Sequence, residues 1–179
     1  DSVGTRDLVT YGSNLKSKSD SDQEHYLEFG EDSFLHATKD TNVGVMLGSY
    51  SLGFKIKYNV NPGEWAPFIA MGNGYTVGVS LFGINGGFNA KHADTDCVYQ
   101  ALSVNGTSWN DVLMTFDQKT GVFKLFVDNT LIGTKDNLVN FAPGNVDFAF
   151  SIGGRWNLWS NSSLEATKTS GGIADVRVY

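Results

Sequence analysis

The chain has little of what marks most specialised classes of protein. It carries one cysteine, Cys97, in 179 residues, which excludes an internal disulfide. That argues against a eukaryotic secreted module, which often has one, and leaves a bacterial or viral origin open. No apolar run approaches the roughly 18 residues that a membrane helix needs, so membrane insertion is not expected. No basic run occurs, and 13 Lys and Arg stand against 19 Asp and Glu, a formal charge of −6. A chain of that sign has no general attraction for phosphate backbones or anionic membranes, so nucleic acid is not an expected partner. The histidines, His25, His36 and His92, show no nucleophile, base and acid spacing. Long helical periods, repeats and linkers are absent too. The chain begins at Asp1 rather than Met, as expected of a processed chain or an excised domain.

What is present is globular in composition, with 41% hydrophobic and 18% charged residues. The 21 glycines and 12 phenylalanines supply turns and aromatic strand positions. The length suits one all-β domain, residues 1–179, able to bury roughly 70% of its unfolded surface. The most legible stretch is WNDVLMTFDQKTGVFKLFVDNTLIG, residues 109–133. Val112, Met114 and Phe116 share one strand face, and Phe123, Leu125 and Val127 share another, because side chains alternate with period two. The polar connection from Asp117 to Gly121 suits a hairpin loop with a left-handed residue near its end. Asp128-Asn129 tolerates positive φ and makes the second corner. One face of this antiparallel unit packs inside and the other is partly wet.

Strands are also expected around Gly30-Glu31-Asp32, along 50–60, in a meander over 64–92, over 97–104, over 145–154 and over 171–179. Twelve to fourteen short strands with turn signals between them predict a β-sandwich or barrel.

Five segments, in this order, resemble the laminin-G-like jelly roll of the concanavalin A-like superfamily. They are YLEFGEDSFLHA, GSYSLGFKIKY, the Trp-led hairpin above, FSIGG, and the closing GGIADVRVY. The resemblance spans about residues 3–179. It implies a concanavalin A-like jelly-roll sandwich of two curved antiparallel sheets, with ligands met at a concave face or at loop edges. It makes Trp109 a packing residue at the strand start. Relatives bind glycans or proteins, and some hydrolyse or cleave polysaccharides, so the fold leaves function open.

An enzyme is not expected. Relatives that hydrolyse glucans set carboxylates along one buried strand, since two must flank one bond. The nearest match, Asp20-Ser-Asp22-Gln-Glu24, has polar residues between its acids and reads as a solvated loop. The motifs expected of a polysaccharide lyase are absent. For binding, two groups stand out. In KHADTDC, the residues His92, Asp94 and Asp96 would share one face of a strand. That face could coordinate a metal or bond sugar hydroxyls, or be an ordinary solvent edge. In GGRWNLWSNSSLEATKTSGG, read as a long polar loop, Trp156 and Trp159 are flanked by Arg155, Asn157 and Asn161. Sugars stack their C–H faces on aromatic rings, while amide and guanidinium groups bond their hydroxyls. The alternative is that the tryptophans cover the sheet as a lid. Trp65 is a weaker candidate of the same kind.

The resemblance also implies a structural Ca²⁺ between the acidic turn and the last strand, held by Asp175 with Asp32 or Glu31. The competing reading is that Asp175 only satisfies a turn. Asn105 and Asn161 open glycosylation sequons that matter only in a secretory pathway.

The leading expectation is a non-catalytic, lectin-like recognition or adhesion module of a larger surface, secreted or virion protein. Its partner would be a glycan or surface polysaccharide. The alternative is a structural or protein-interaction domain of capsid or fibre type, and a polysaccharide-active enzyme is third.

Overall fold

A computed structural model describes residues 8–12, 15–23, 25–30, 34–37, 48–58, 66–72, 78–84, 87–92, 95–100, 108–139, 150–156, 164–166 and 171–179. Strands are numbered in chain order. The first sheet runs, in space, β1 (Leu8–Tyr11), β4 (Phe34–Ala37), β13 (Phe150–Ile152), β6 (Ala66–Gly72), β7 (Gly78–Ile84), β8 (Gly87–His92) and β9 (Thr95–Gln100). The second runs β12 (Thr130–Lys135), β11 (Val122–Val127), β10 (Asn110–Asp117), β5 (Tyr50–Tyr58), β16 (Gly171–Val178), β3 (Tyr26–Phe29) and β2 (Lys16–Lys18). A separate hairpin pairs β14 (Gly154–Trp156) with β15 (Leu164–Ala166). Neighbouring strands are antiparallel, as in the central β5–β10 and β6–β7 pairs. The described residues hold sixteen strands, more than the sequence pattern predicts.

The core lies between the two large sheets. Leu52, Phe54 and Ile56 on β5, Val112, Met114 and Phe116 on β10, and Phe123, Leu125 and Val127 on β11 supply its second-sheet half. Leu35, Ile69, Ala90, Val98 and Ile152 supply the first-sheet half. Burying an aliphatic or aromatic side chain contributes about 1.5–3 kcal/mol each, which is why the alternating pattern sets the faces. Phe29 and Phe34, read as flanking one acidic turn, lie on different sheets, so the chain crosses the sandwich there.

The hairpin corners have the predicted backbone. Gly121 has φ 66°, and Asp128 and Asn129 have φ 48° and 61°. Asp117 shapes its turn by accepting from Lys119 N–H at 2.9 Å and from Thr120 Oγ1 at 2.8 Å. At one side the sheets close between β12 and β9. A Cβ on Gly133 would stand 2.7 Å from Val98 Cγ1, so only glycine allows that approach.

Candidate functional site

The segment read as one long polar loop contains a hairpin. Its pairs are Gly154 with Ala166, Arg155 with Glu165, and Trp156 with Leu164. β14 lies against β6 and β4 of the first sheet, just after Gly153 turns the chain with φ 76°. Trp156 therefore occupies the last paired position of β14. Asn157, Trp159 and Asn161 belong to the connection between the two strands, outside the described residues, as do Asp94 and Trp65.

His92 and Asp96 do not share a strand face. The chain turns between β8 and β9, and His92 pairs with Thr95 across that turn. His92 points into the core and is only 1% exposed. Its Nε2–H donates to the Val139 carbonyl at 3.1 Å, so Nδ1 accepts from Tyr50 O–H at 2.9 Å. Its ring lies 4.0 Å, centre to centre, from Phe116. Burial pushes its pKa below the ordinary value, with the Val139 bond opposing. A neutral, doubly bonded imidazole in the core is a structural element here, and it is directed away from Asp96. Asp96 instead meets residues of the opposite strand. Lys91 Nζ is 3.1 Å from its carboxylate, and Asn89 Nδ2 donates to it at 3.2 Å. Nearby, burial pushes the Cys97 thiol up to about 12, which keeps it protonated.

A third cluster escaped the sequence reading. On the outer face of the second sheet, Lys57 pairs across strands with Gly172. Its ammonium lies 5.0 Å from the ring centres of both Tyr26 and Trp109. Those two rings meet edge to face at 5.1 Å. Asp20 closes the cluster: it accepts from Lys57 Nζ, and Trp109 Nε1–H donates to it at 3.1 Å. It also accepts the backbone N–H of Asp22 and Gln23. The Lys57 bond, helped by Trp109, holds the Asp20 carboxyl well below the usual carboxylate range. Trp109 is thus a packing post for the loop after β2. The one sequence cue was Gly172, where a Cβ would come 2.8 Å from Tyr26 and 3.0 Å from Trp109.

Of the expected calcium ligands, Asp175 alone lies among the described residues. Phe29, at the end of β3 that leads to the Glu31-Asp32 turn, pairs with Gly171, and Leu27 pairs with Ile173. Asp175 lies four residues beyond Gly171, about 13 Å of strand away from that end. Glu31 and Asp32 are themselves outside the described residues. Asp175 sits in the bulge between Ala174 and Arg177 with φ 52°, a left-handed residue that absorbs the register shift. Among the described residues no three His, Cys, Asp or Glu side chains group to hold a metal ion.

Solved structures similar over most of this chain include the following three. The binding domain of botulinum neurotoxin DC, in complex with SialylT, superposes with TM-score 0.67 at 15% identity. It covers 99% of this chain, which spans only 44% of that one. Domain 4 of AbnA, an extracellular arabinanase from Geobacillus stearothermophilus, in complex with arabinotriose, gives 0.68 at 14% identity over 94% of this chain and 76% of that one. The CBM40 of a Ruminococcus gnavus IT-sialidase, bound to sialyllactose, gives 0.65 at 21% identity over 86% and 89%. These likenesses establish a shared jelly-roll sandwich. No curated protein matches the chain in sequence. Residues 29–179 match the laminin-G-type family model of the concanavalin A-like lectin/glucanases superfamily. Family match, sheet order and the Trp-led hairpin agree: the chain belongs to the concanavalin A-like lectin/glucanases superfamily.

Proposed function

We propose that this domain is a non-catalytic carbohydrate-binding module of a larger surface, secreted or virion protein, and that it meets its glycan at the end of the β14–β15 hairpin. The observation that carries the reading is Trp156 at the last pair of a hairpin that is hydrogen-bonded into neither large sheet, on a fold shared with domains solved bound to sialyllactose and arabinotriose. Trp156 and Trp159 would stack on sugar rings, and Arg155, Asn157 and Asn161 would bond the hydroxyls. The extracellular arabinanase among the neighbours supports a location outside the cell. A non-catalytic role is supported by Asp20, the first acid of the alternating acidic run. It is tied to Lys57 and Trp109 rather than offered to a substrate.

A glycan array followed by titration of Trp156→Ala and Trp159→Ala tests this. Stacking residues carry most of a site's energy, so at least one variant loses binding while keeping its stability. The larger effect is expected at Trp159. If the rings form a lid, each truncation costs about 3 kcal/mol or more. Two destabilised variants, or two stable variants with unchanged affinity, would remove the hairpin as the site. An array without hits, joined to a stable symmetric oligomer in light scattering, would favour a structural or protein-interaction domain.

A further inference from the structure

The outer face of the second sheet holds an aromatic position far from that hairpin in sequence. Leu113 on β10 is the cross-strand partner of Phe126 on β11, and Phe126 is the partner of Leu131 on β12. Leu113 is 39% exposed, Leu131 is 50% exposed, and Phe126 is half-buried. Alternation requires this, since their neighbours Val112, Leu125 and Val127 fill the core. Beside Leu113 and Phe126 lies an open hollow of about 290 Å³ whose other end is formed by Asp111 and Asn129. The Asp128-Asn129 corner builds that end. Asp128 Oδ1 accepts from Asp111 N–H at 2.8 Å, which fastens the corner to β10. The left-handed backbone of Asn129 brings an exposed amide side chain to the rim of the hollow. Lys55 Nζ stands 3.7 Å from the Asp111 carboxylate.

We propose that this hollow is a second carbohydrate subsite, taking a neutral pyranose ring stacked on Phe126 beside Leu113 with its hydroxyls bonded by Asp111 and Asn129. A sugar ring offers an apolar C–H face to an aromatic ring. Its hydroxyls need both acceptors and donors, and a carboxylate accepts while an amide does both. Lys55 pairs with the Asp111 carboxylate, so among the described residues the hollow offers no free cation to bind an acidic sugar. The hollow is at the small end of ligand sites, which suits one ring. The inference rests on the glycan-binding reading above and adds a site to it.

The test is an NMR titration of ¹⁵N-labelled protein with maltotriose, cellotriose and lactose as neutral probes and trigalacturonic acid as the acidic one. Each is taken to roughly 10 mM, because a shallow one-ring site binds weakly. At least one neutral probe is expected to shift the amides of residues 111–113 and 126–129. Asn129→Gly and Phe126→Thr should each weaken that response about tenfold or more. Asn129→Gly is the arm that separates binding from folding. Glycine is the residue best suited to φ 61°, so its melting temperature should equal or exceed the parent's. Shifts confined to 154–166 would overturn this subsite and leave the hairpin reading standing. No shift at the hollow with any probe would overturn this subsite, while the hairpin reading stands or falls by the glycan array. A response at the hollow to the acidic probe alone would overturn the assignment to neutral sugars. Concentration-dependent broadening of residues 113, 126 and 131 without sugar would replace it with self-association.

Discussion

The β10–β11 and β8–β9 hairpins follow the same period of two, yet they use polar residues differently. In β10–β11, Val112, Met114, Phe116, Phe123 and Leu125 turn inward and are buried, while Asp111, Asp117 and Lys124 are exposed. In β8–β9, Asn89, Lys91 and His92 are all buried, so both faces of β8 are covered. Polarity marks the wet face only where one face meets water. Where a polar side chain finds partners, as His92 does in Tyr50 and Val139, it is placed by those bonds instead.

The largest way to break this comparison is in the apolar hairpin. Phe123→Ala should cost about 3–5 kcal/mol in denaturant unfolding, as for a fully buried aromatic. A cost under 1 kcal/mol, far below that expectation, would mean that this hairpin is not the core unit its pattern describes.

The polar hairpin should respond nearly as strongly. His92→Ala leaves a cavity and an unpaired Tyr50 hydroxyl in the core, so a loss of about 2–4 kcal/mol is expected, with His92→Gln recovering part. The histidine also predicts a pH dependence. Its unfolded pKa is near 6.5 and its folded value is lower. As pH falls through about 6.5, the unfolded chain takes up a proton that the fold refuses, and stability drops. Melting should therefore be lower at about pH 5.5 than at about pH 7.5, values that bracket the ordinary histidine range, and His92→Gln should remove most of the difference. Equal melting of the parent protein at the two pH values would contradict a buried neutral imidazole. Asp20 acts in a lower window. Its folded pKa is depressed, so its contribution is present above the ordinary aspartate pKa and fades as pH falls below about 4.

Gly172→Ala should have an intermediate effect. The new methyl would press on the Tyr26 and Trp109 rings, and overpacking of this kind costs about 1–3 kcal/mol. Loss of the characteristic Trp109 fluorescence environment should accompany it, and an unchanged spectrum would count against the cluster.

The smallest effect is expected at Asp175. Asp175→Gly should be neutral or stabilising by up to about 1 kcal/mol, because glycine suits a left-handed bulge. If Asp175 instead holds Ca²⁺ with Glu31 or Asp32, excess Ca²⁺ must raise the melting temperature relative to EDTA by mass action, and the substitution must abolish the rise. Identical melting with Ca²⁺ and EDTA would leave Asp175 as a bulge residue only.

Much of the fold was legible residue by residue. The strand pairs around 109–133 and the left-handed residues Gly121, Asp128 and Asn129 follow from alternation and turn chemistry, both local properties. The site was less legible. Reading His92, Asp94 and Asp96 as one strand missed a turn, because KHADTDC carries no glycine or proline at 93–94 to announce it. Reading 153–172 as loop missed three-residue strands, which are too short for a period to register. Asp20 looked like one acid in a solvated run, since its partners Lys57 and Trp109 lie 37 and 89 residues away.

By itself the sequence determined that this chain is all-β, acidic, and built on a core of alternating apolar residues, because those outcomes depend on composition and on neighbours one or two positions apart. The tertiary structure decided which polar residues are structural and which stand at a surface. That choice depends on what each side chain meets across the sandwich: His92 met Tyr50, Asp20 met Lys57, and Phe126 was left beside an open hollow with Asn129 at its rim.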